Sequence, residues 1–171
     1  MKKLIFIFTV VFFKFNLAYS LIEVDITRGN LDPLPIAVSP LHVDSKSSNY
    51  QDIKIKELGK NISLVIEKNF RSTGLFNPLN NDAFVQKPDI AHLKPRFEDW
   101  RLITAQALVT GKILIKDGKL KVEFRLWDLA ASQEMIALAF TTTPKNWRRV
   151  AHIISDKIYE RLTGETGYFD T

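Results

Sequence analysis

The sequence has 171 residues, and none of them is cysteine. That absence removes a disulfide framework, a thiolate metal site and a cysteine nucleophile together. Stability must come from a hydrophobic core, and the length allows one domain with such a core rather than two. Histidine is nearly as scarce. His42, His92 and His152 lie far apart, and none shows metal-ligand spacing such as two histidines one helical turn apart. They read as surface or boundary residues. There is no glycine-rich phosphate loop, nucleophile elbow or Walker-type run. Glu98 with Asp99, and Asp128 with Glu134, are nearby carboxylates. Solvated pairs of that kind are far commoner than the acid/base pairs of glycosidases. The sequence therefore points to a non-enzymatic protein with no catalytic residue, no metal, no cofactor and no small-molecule substrate.

An apolar run long enough to span a bilayer is also missing. Leu4 to Phe13 is ten residues, and a spanning helix needs about 20. That run follows Lys2 and Lys3 and precedes the small residues Ala18 and Ser20. This is the pattern of a secretory signal peptide cut between Ser20 and Leu21. Lys14 interrupts the run, so an uncleaved N-terminal anchor is the competing reading. Setting the leader aside also removes most of the positive charge. The formal charge of +5 falls to +2 for residues 21–171, where 21 basic side chains face 19 acidic ones. Strong attraction to nucleic acid or anionic lipid is then not implied. Arg148 and Arg149 read as the solvated face of an amphipathic helix, so no nucleic-acid partner is expected.

What is present is patterned for a globular fold, with 46% hydrophobic and 25% charged residues. In LIEVDIT, residues 21–27, Ile22, Val24 and Ile26 alternate with Glu23, Asp25 and Thr27. That reads as a strand, or as an extended segment able to add to a sheet edge. Arg28, Gly29, Asn30, Asp32 and Pro33 then break the pattern. PIAVSPL fits a short buried strand, and residues 43–52 form a polar loop. Ile55, Leu58, Ile62, Val65, Ile66 and Phe70 follow helical spacing up to a stop at Gly74. Residues 75–100 contain Pro78, Pro88 and Pro95 and predict loops, one or two short strands and a helical turn near FEDW.

Asp117-Gly118 lies between two alternating runs and predicts a two-residue hairpin. Leu120, Val122, Phe124 and Leu126 face a core there, while Lys119, Lys121, Glu123 and Arg125 face water. Trp127 falls on the wet side and reads equally as a contact surface or as a side chain under a loop. MIALAFTTT predicts a third strand with Ile136, Leu138 and Phe140 in step. A closing helix carries Trp147, Val150, Ala151, Ile154, Ile158 and Leu162 on one face and ends at Gly164. Thr143 or Asn146 is placed to cap it, and Pro144 suits an early helical position. Its apolar stripe packs on a sheet, most simply on the buried face of the hairpin. The order of elements predicts an α+β, two-layer domain: a mixed sheet with two helices packed on one face.

EVDITRGNLDPLPIAV, FEDWR, ALVTGK, VEFRLWDL and the closing NWRRVAHIISDKIYERLTGETGYFDT together resemble the TolB N-terminal domain family, over essentially all of residues 21–171. The resemblance implies a fold similar to the anticodon-binding domain of some tRNA synthetases, a likeness of shape that carries no RNA-binding function. It implies a non-enzymatic periplasmic protein of the Tol-Pal system, which supports outer-membrane integrity and cell division. It further implies that the residues from Ile22 to Pro33 engage the C-terminal domain of TolA. Their alternation suits strand addition to a partner sheet. The competing reading is an ordinary first strand of the domain's own sheet. In the family, GYFDT leads into a six-bladed β-propeller that binds Pal. Such a propeller needs repeated four-stranded blades, which 171 residues do not hold, so Pal binding is not expected of this chain. The expected organisation is a signal peptide over 1–20, a partner-binding segment over 21–33, a TolB N-terminal-type domain over 34–166 and a lead-in to an absent propeller over 167–171. A truncated remnant without a productive partner is the alternative reading.

Overall fold

The computed structural model describes residues 22–24, 32–49 and 52–171. Its elements run β1 (Leu34–Val38), β2 (His42–Val43), α1 (Ile53–Lys56), α2 (Leu58–Thr73), β3 (Phe76–Pro78), α3 (Pro88–Ala91), α4 (Phe97–Leu102), β4 (Ala107–Lys116), β5 (Lys119–Asp128), β6 (Gln133–Thr142) and α5 (Trp147–Thr163). The strands form one sheet in the order β3-β1-β4-β5-β6, with β2 pairing the far half of β4. β1 pairs in parallel with β3 and β4, whereas β4, β5 and β6 form an antiparallel meander. The sheet is therefore mixed, as the order of elements predicts.

The meander begins where the dipeptide signal places it. Asp117 and Gly118 have φ of 51° and 71°. Two consecutive positive φ angles give a turn whose twist matches that of the flanking strands. α2 and α5 lie side by side on one face of the sheet, and both end in a left-handed glycine, Gly74 and Gly164. Ile62, Ile66 and Phe70 of α2 and Ile154, Ile158 and Leu162 of α5 are fully buried against Val109, Val122, Phe124 and Leu126. Removing such side chains from water is worth on the order of 2 kcal/mol each. The expected two-helix layer and its hairpin floor are both observed.

The opposite face is not uniformly wet. Near the β1 end of the meander a second cluster gathers Ala37, Ala91, Trp100, Ala105, Leu108, Trp127 and Leu129, with Phe84 and Phe97 against it. Short α3 and α4 supply the cover. Toward the hairpin turn the same face is solvated, with Lys121 paired to Glu123 and Arg125 to Glu134. The pattern of one wet face thus holds for the turn end alone. Trp127 resolves as the covered alternative. It is buried, packs edge-on to Phe97 at 5.8 Å between ring centroids, and donates its indole N–H to Thr110 Oγ1 at 2.9 Å.

Neither side chain placed to cap α5 does so. Asn146 instead donates to Thr142 Oγ1 at 3.2 Å, and a 3₁₀ turn over Pro144–Asn146 leads into the helix. Proline at the start of that turn already fixes a helical φ.

Candidate partner-binding site

The described part of the expected partner segment is Ile22–Val24, together with Asp32 and Pro33; Leu21 and the stretch from Asp25 to Leu31 lie outside the described residues. So do the signal-peptide residues and the cut at Ser20. Ile22, Glu23 and Val24 are not part of the sheet. They lie against the end of α5, where the last carbonyls of a helix have no partner within it. Val24 N–H donates to the Leu162 carbonyl at 2.7 Å. Ile22 N–H donates to Asp128 Oδ2 at 3.0 Å. Asp128 closes β5, is fully buried, and takes a second donor from Ala131 N–H at 2.8 Å. Its carboxylate thus serves as an acceptor for two backbone groups. Ile22 and Val24 are half-buried on the main core, while Glu23, Asp32 and Pro33 are exposed. Glu23 borders a groove of about 490 Å³ lined by Ile136 and Leu138 of β6 and by Lys157, Glu160 and Arg161 of α5.

The other residues singled out by type have ordinary partners. Glu98 pairs with Arg101, Asp99 with Arg96 at 2.5 Å, and Glu134 with Arg125 at 3.0 Å. Arg149 binds Asp170, and the Arg148 guanidinium lies over the Trp147 ring at 4.6 Å. His42 and His92 stack at 4.5 Å between centroids. Burial, and then the neighbouring His92, hold the His42 imidazole below its usual range. His152 Nδ1 lies 2.9 Å from the Asn69 amide, which also donates to buried Ser155 Oγ. This network ties α2 to α5. Among the described residues no group of three or more His, Asp or Glu side chains is placed to hold a metal, and no helix is long and apolar enough to cross a membrane.

The TolB amino-terminal domain family matches residues 22–135, two thirds of the chain. The chain belongs to that family. A Tol-Pal system protein TolB from Pelagibacter ubique is 68% identical over 156 residues, which cover 90% of this chain and 35% of the relative. The chain thus spans about a third of that relative's length. Among solved structures, TolB from Acinetobacter baumannii superposes with a TM-score of 0.65 at 20% identity, covering 88% of this chain and 33% of that one. A PelC dodecamer subunit from Paraburkholderia phytofirmans gives 0.50 at 15% identity, covering 77% and 90%. These last two likenesses are of fold. The α+β, mixed-sheet architecture is therefore that of the TolB N-terminal domain.

Within this TolB-type fold, sequence reasoning missed two acceptors at the site. Asp128 reads as a solvated carboxylate in VEFRLWDL, yet it is the buried anchor of a segment 106 residues away. The Leu162 carbonyl carries no side-chain signal at all. The sequence separation hides both.

Proposed function

We propose that the chain is a periplasmic protein-interaction module of the Tol-Pal system, which engages the C-terminal domain of TolA through the segment from Ile22 to Pro33. The supporting observation is the way that segment's start is held. Two backbone hydrogen bonds and two half-buried side chains fix it to α5 and Asp128. The Val24 bond nets about 1 kcal/mol and the bond to the Asp128 carboxylate about 1.5–3 kcal/mol, so the clasp, with its two half-buried side chains, opens at a cost of a few kcal/mol that strand pairing with a partner can offset. An alternating segment released from this clasp can add as a strand to a partner's sheet edge. Membership of the TolB family supports placing the module in the Tol-Pal system, and in this reading it contributes to outer-membrane integrity and cell division. The module carries no chemistry of its own in this reading.

The test is a titration of isotope-labelled full chain, expressed with its own leader, with the TolA C-terminal domain. Amide shifts or broadening should concentrate between Ile22 and Pro33. Replacing Ile22, Val24 and Ile26 together with serine should abolish the response while leaving the rest of the spectrum in place. A dispersed spectrum that ignores TolA, or a response confined to other surfaces, would refute the proposal.

A further inference from the structure

β6 is an outer strand: among the described residues it pairs with β5 alone. Natural edge strands are usually blunted by charge, proline or shortness. β6 has ten residues, and from Met135 to Thr142 it reads MIALAFTT, with no charge, proline or glycine. The edge is also accessible. Ala137, Leu138, Ala139 and Thr141 are exposed, Leu138 by 41%. A register shift leaves Met135 as an extra residue between Glu134 and Ile136, which ends the straight edge on that side.

The exposed stretch is symmetric in size about Leu138. Small Ala137 and Ala139 flank it, and large Ile136 and Phe140 follow. In an antiparallel pair, residues directly opposite share a face. A two-fold axis at Leu138 therefore sets Leu138 against its copy, Ile136 against Phe140, and Ala137 against Ala139. Large side chains meet on the helix side and small ones meet on the other. Glu134 lies beyond the register shift, toward the Thr142 end of the copy and far from the copy's own Glu134, so like charges are not opposed. On the helix side, the groove floored by Ile136 and Leu138 stands half open, and the copy's Leu138 and Phe140 would close it.

We infer that β6 is a self-pairing edge, at which two copies of the chain join antiparallel about Leu138 into one continuous sheet. The occupant is a second copy because the pattern of sizes reads the same in both directions, which a strand of unrelated sequence does not require. A contact one strand wide buries less than the roughly 1,600 Å² of a standard stable interface. Self-association accordingly falls in the micromolar to millimolar range.

Sedimentation of the full chain, from low micromolar to millimolar concentration, should show mass rising from monomer toward dimer. Leu138→Lys places two like charges on the axis and should hold the chain monomeric, with circular dichroism and thermal midpoint unchanged because the side chain is already exposed. The lack of native cysteine allows a positional check. Leu138→Cys puts paired Cα atoms about 5 Å apart, within disulfide reach, and should cross-link on oxidation. Thr142→Cys puts its two copies eight residues apart, about 27 Å, and should not. A monomer at every concentration, a dimer that survives Leu138→Lys, or equal cross-linking of the two cysteine variants would overturn the inference. So would a dimer in which Leu138→Cys stays unlinked, as expected if the Leu21–Thr27 segment of one copy lay on β6 of the other.

Discussion

Replacing Gly59 with alanine sets two effects of opposite sign against each other. Gly59 lies in the first turn of α2. Helix propensity alone favours alanine over glycine by about 1 kcal/mol. The surroundings oppose it. A Cβ on Gly59 would sit 1.8 Å from the carbonyl oxygen of Leu41 and 2.9 Å from its carbonyl carbon. Close C···O contacts in proteins run near 3.3 Å, so α2 and the Leu41 carbonyl must part by about 1.5 Å. A backbone oxygen cannot swing aside as a side chain can. The Leu41 amide donates to the Gly59 carbonyl at 3.3 Å, and the Ser63 hydroxyl lies within hydrogen-bond distance of both the Ser39 and Gly59 carbonyls. Moving the helix strains all of these and loosens fully buried Ile62. Overpacking a tight site costs about 1–3 kcal/mol, and the backbone obstacle puts this case at the upper end. Net of propensity, about 2 kcal/mol is lost, which lowers the thermal midpoint by roughly 4–8 °C at this size. The assay is thermal unfolding followed by circular dichroism, with exposed Lys60→Ala as a neighbour expected to stay within about 0.5 kcal/mol. A midpoint for Gly59→Ala equal to or above that of the parent would refute the reasoning.

Burial raises the Glu67 carboxyl above its usual 4.5, against the opposing effects of the Asn81 hydrogen bond and the Arg71 charge. The folded state therefore holds this proton more tightly than the unfolded chain, and the ionised form costs stability as pH rises through the raised value. Glu67→Gln removes that cost and offers a donor to Asn81 Oδ1, a buried atom without a hydrogen-bond partner. It should stabilise the fold by about 1 kcal/mol at neutral pH; urea midpoints should show the gain shrinking toward pH 4.5, and a gain independent of pH would count against it. Trp127→Phe strands the buried Thr110 hydroxyl and should cost about 1–3 kcal/mol in urea unfolding, part of which Thr110→Val added to it should restore. Asp156 accepts from Phe169 N–H at 2.7 Å and Asp170 N–H at 3.1 Å. Asp156→Ala should speed hydrogen exchange at those two amides while leaving the β4 and β5 amides unchanged.

Elements whose signals are local were legible in the sequence. The Asp117-Gly118 turn, the α2 and α5 stripes and their glycine stops carry their own chemistry within a few residues. What was hidden depended on contacts between distant positions. The alternation around Trp127 assigns it a face but says nothing of what covers that face, and the cover is six-residue α4 with Phe97. β6 alternates in step with β5, yet Leu138 stays exposed because the helix layer leaves a groove beside the edge strand. His152 reads as a boundary residue, and it is half-buried. Its partner Asn69 is 83 residues away on the other long helix. At the candidate site the alternation marked Ile22 and Val24 as apolar positions, and both are half-buried on the core, whereas their two backbone acceptors were not legible, since a buried aspartate and a helix-end carbonyl look like any others until the chain is folded.

Ile22–Val24 and Phe169–Asp170 are both fastened to α5, the former at Leu162 and the latter at Asp156. These anchor points are six residues apart, about 9 Å along a helix. In mechanical terms, a tug applied between the two fastened stretches is shared by less than two turns of one helix and by the Ile22 bond to Asp128 at the end of β5. Stretching force would peel these few clasp bonds in turn before it opened the long β4-β5-β6 ladders. While the clasps hold, the domain adds little to the distance between the two stretches, because their anchors lie at one end of the fold and close together on one helix.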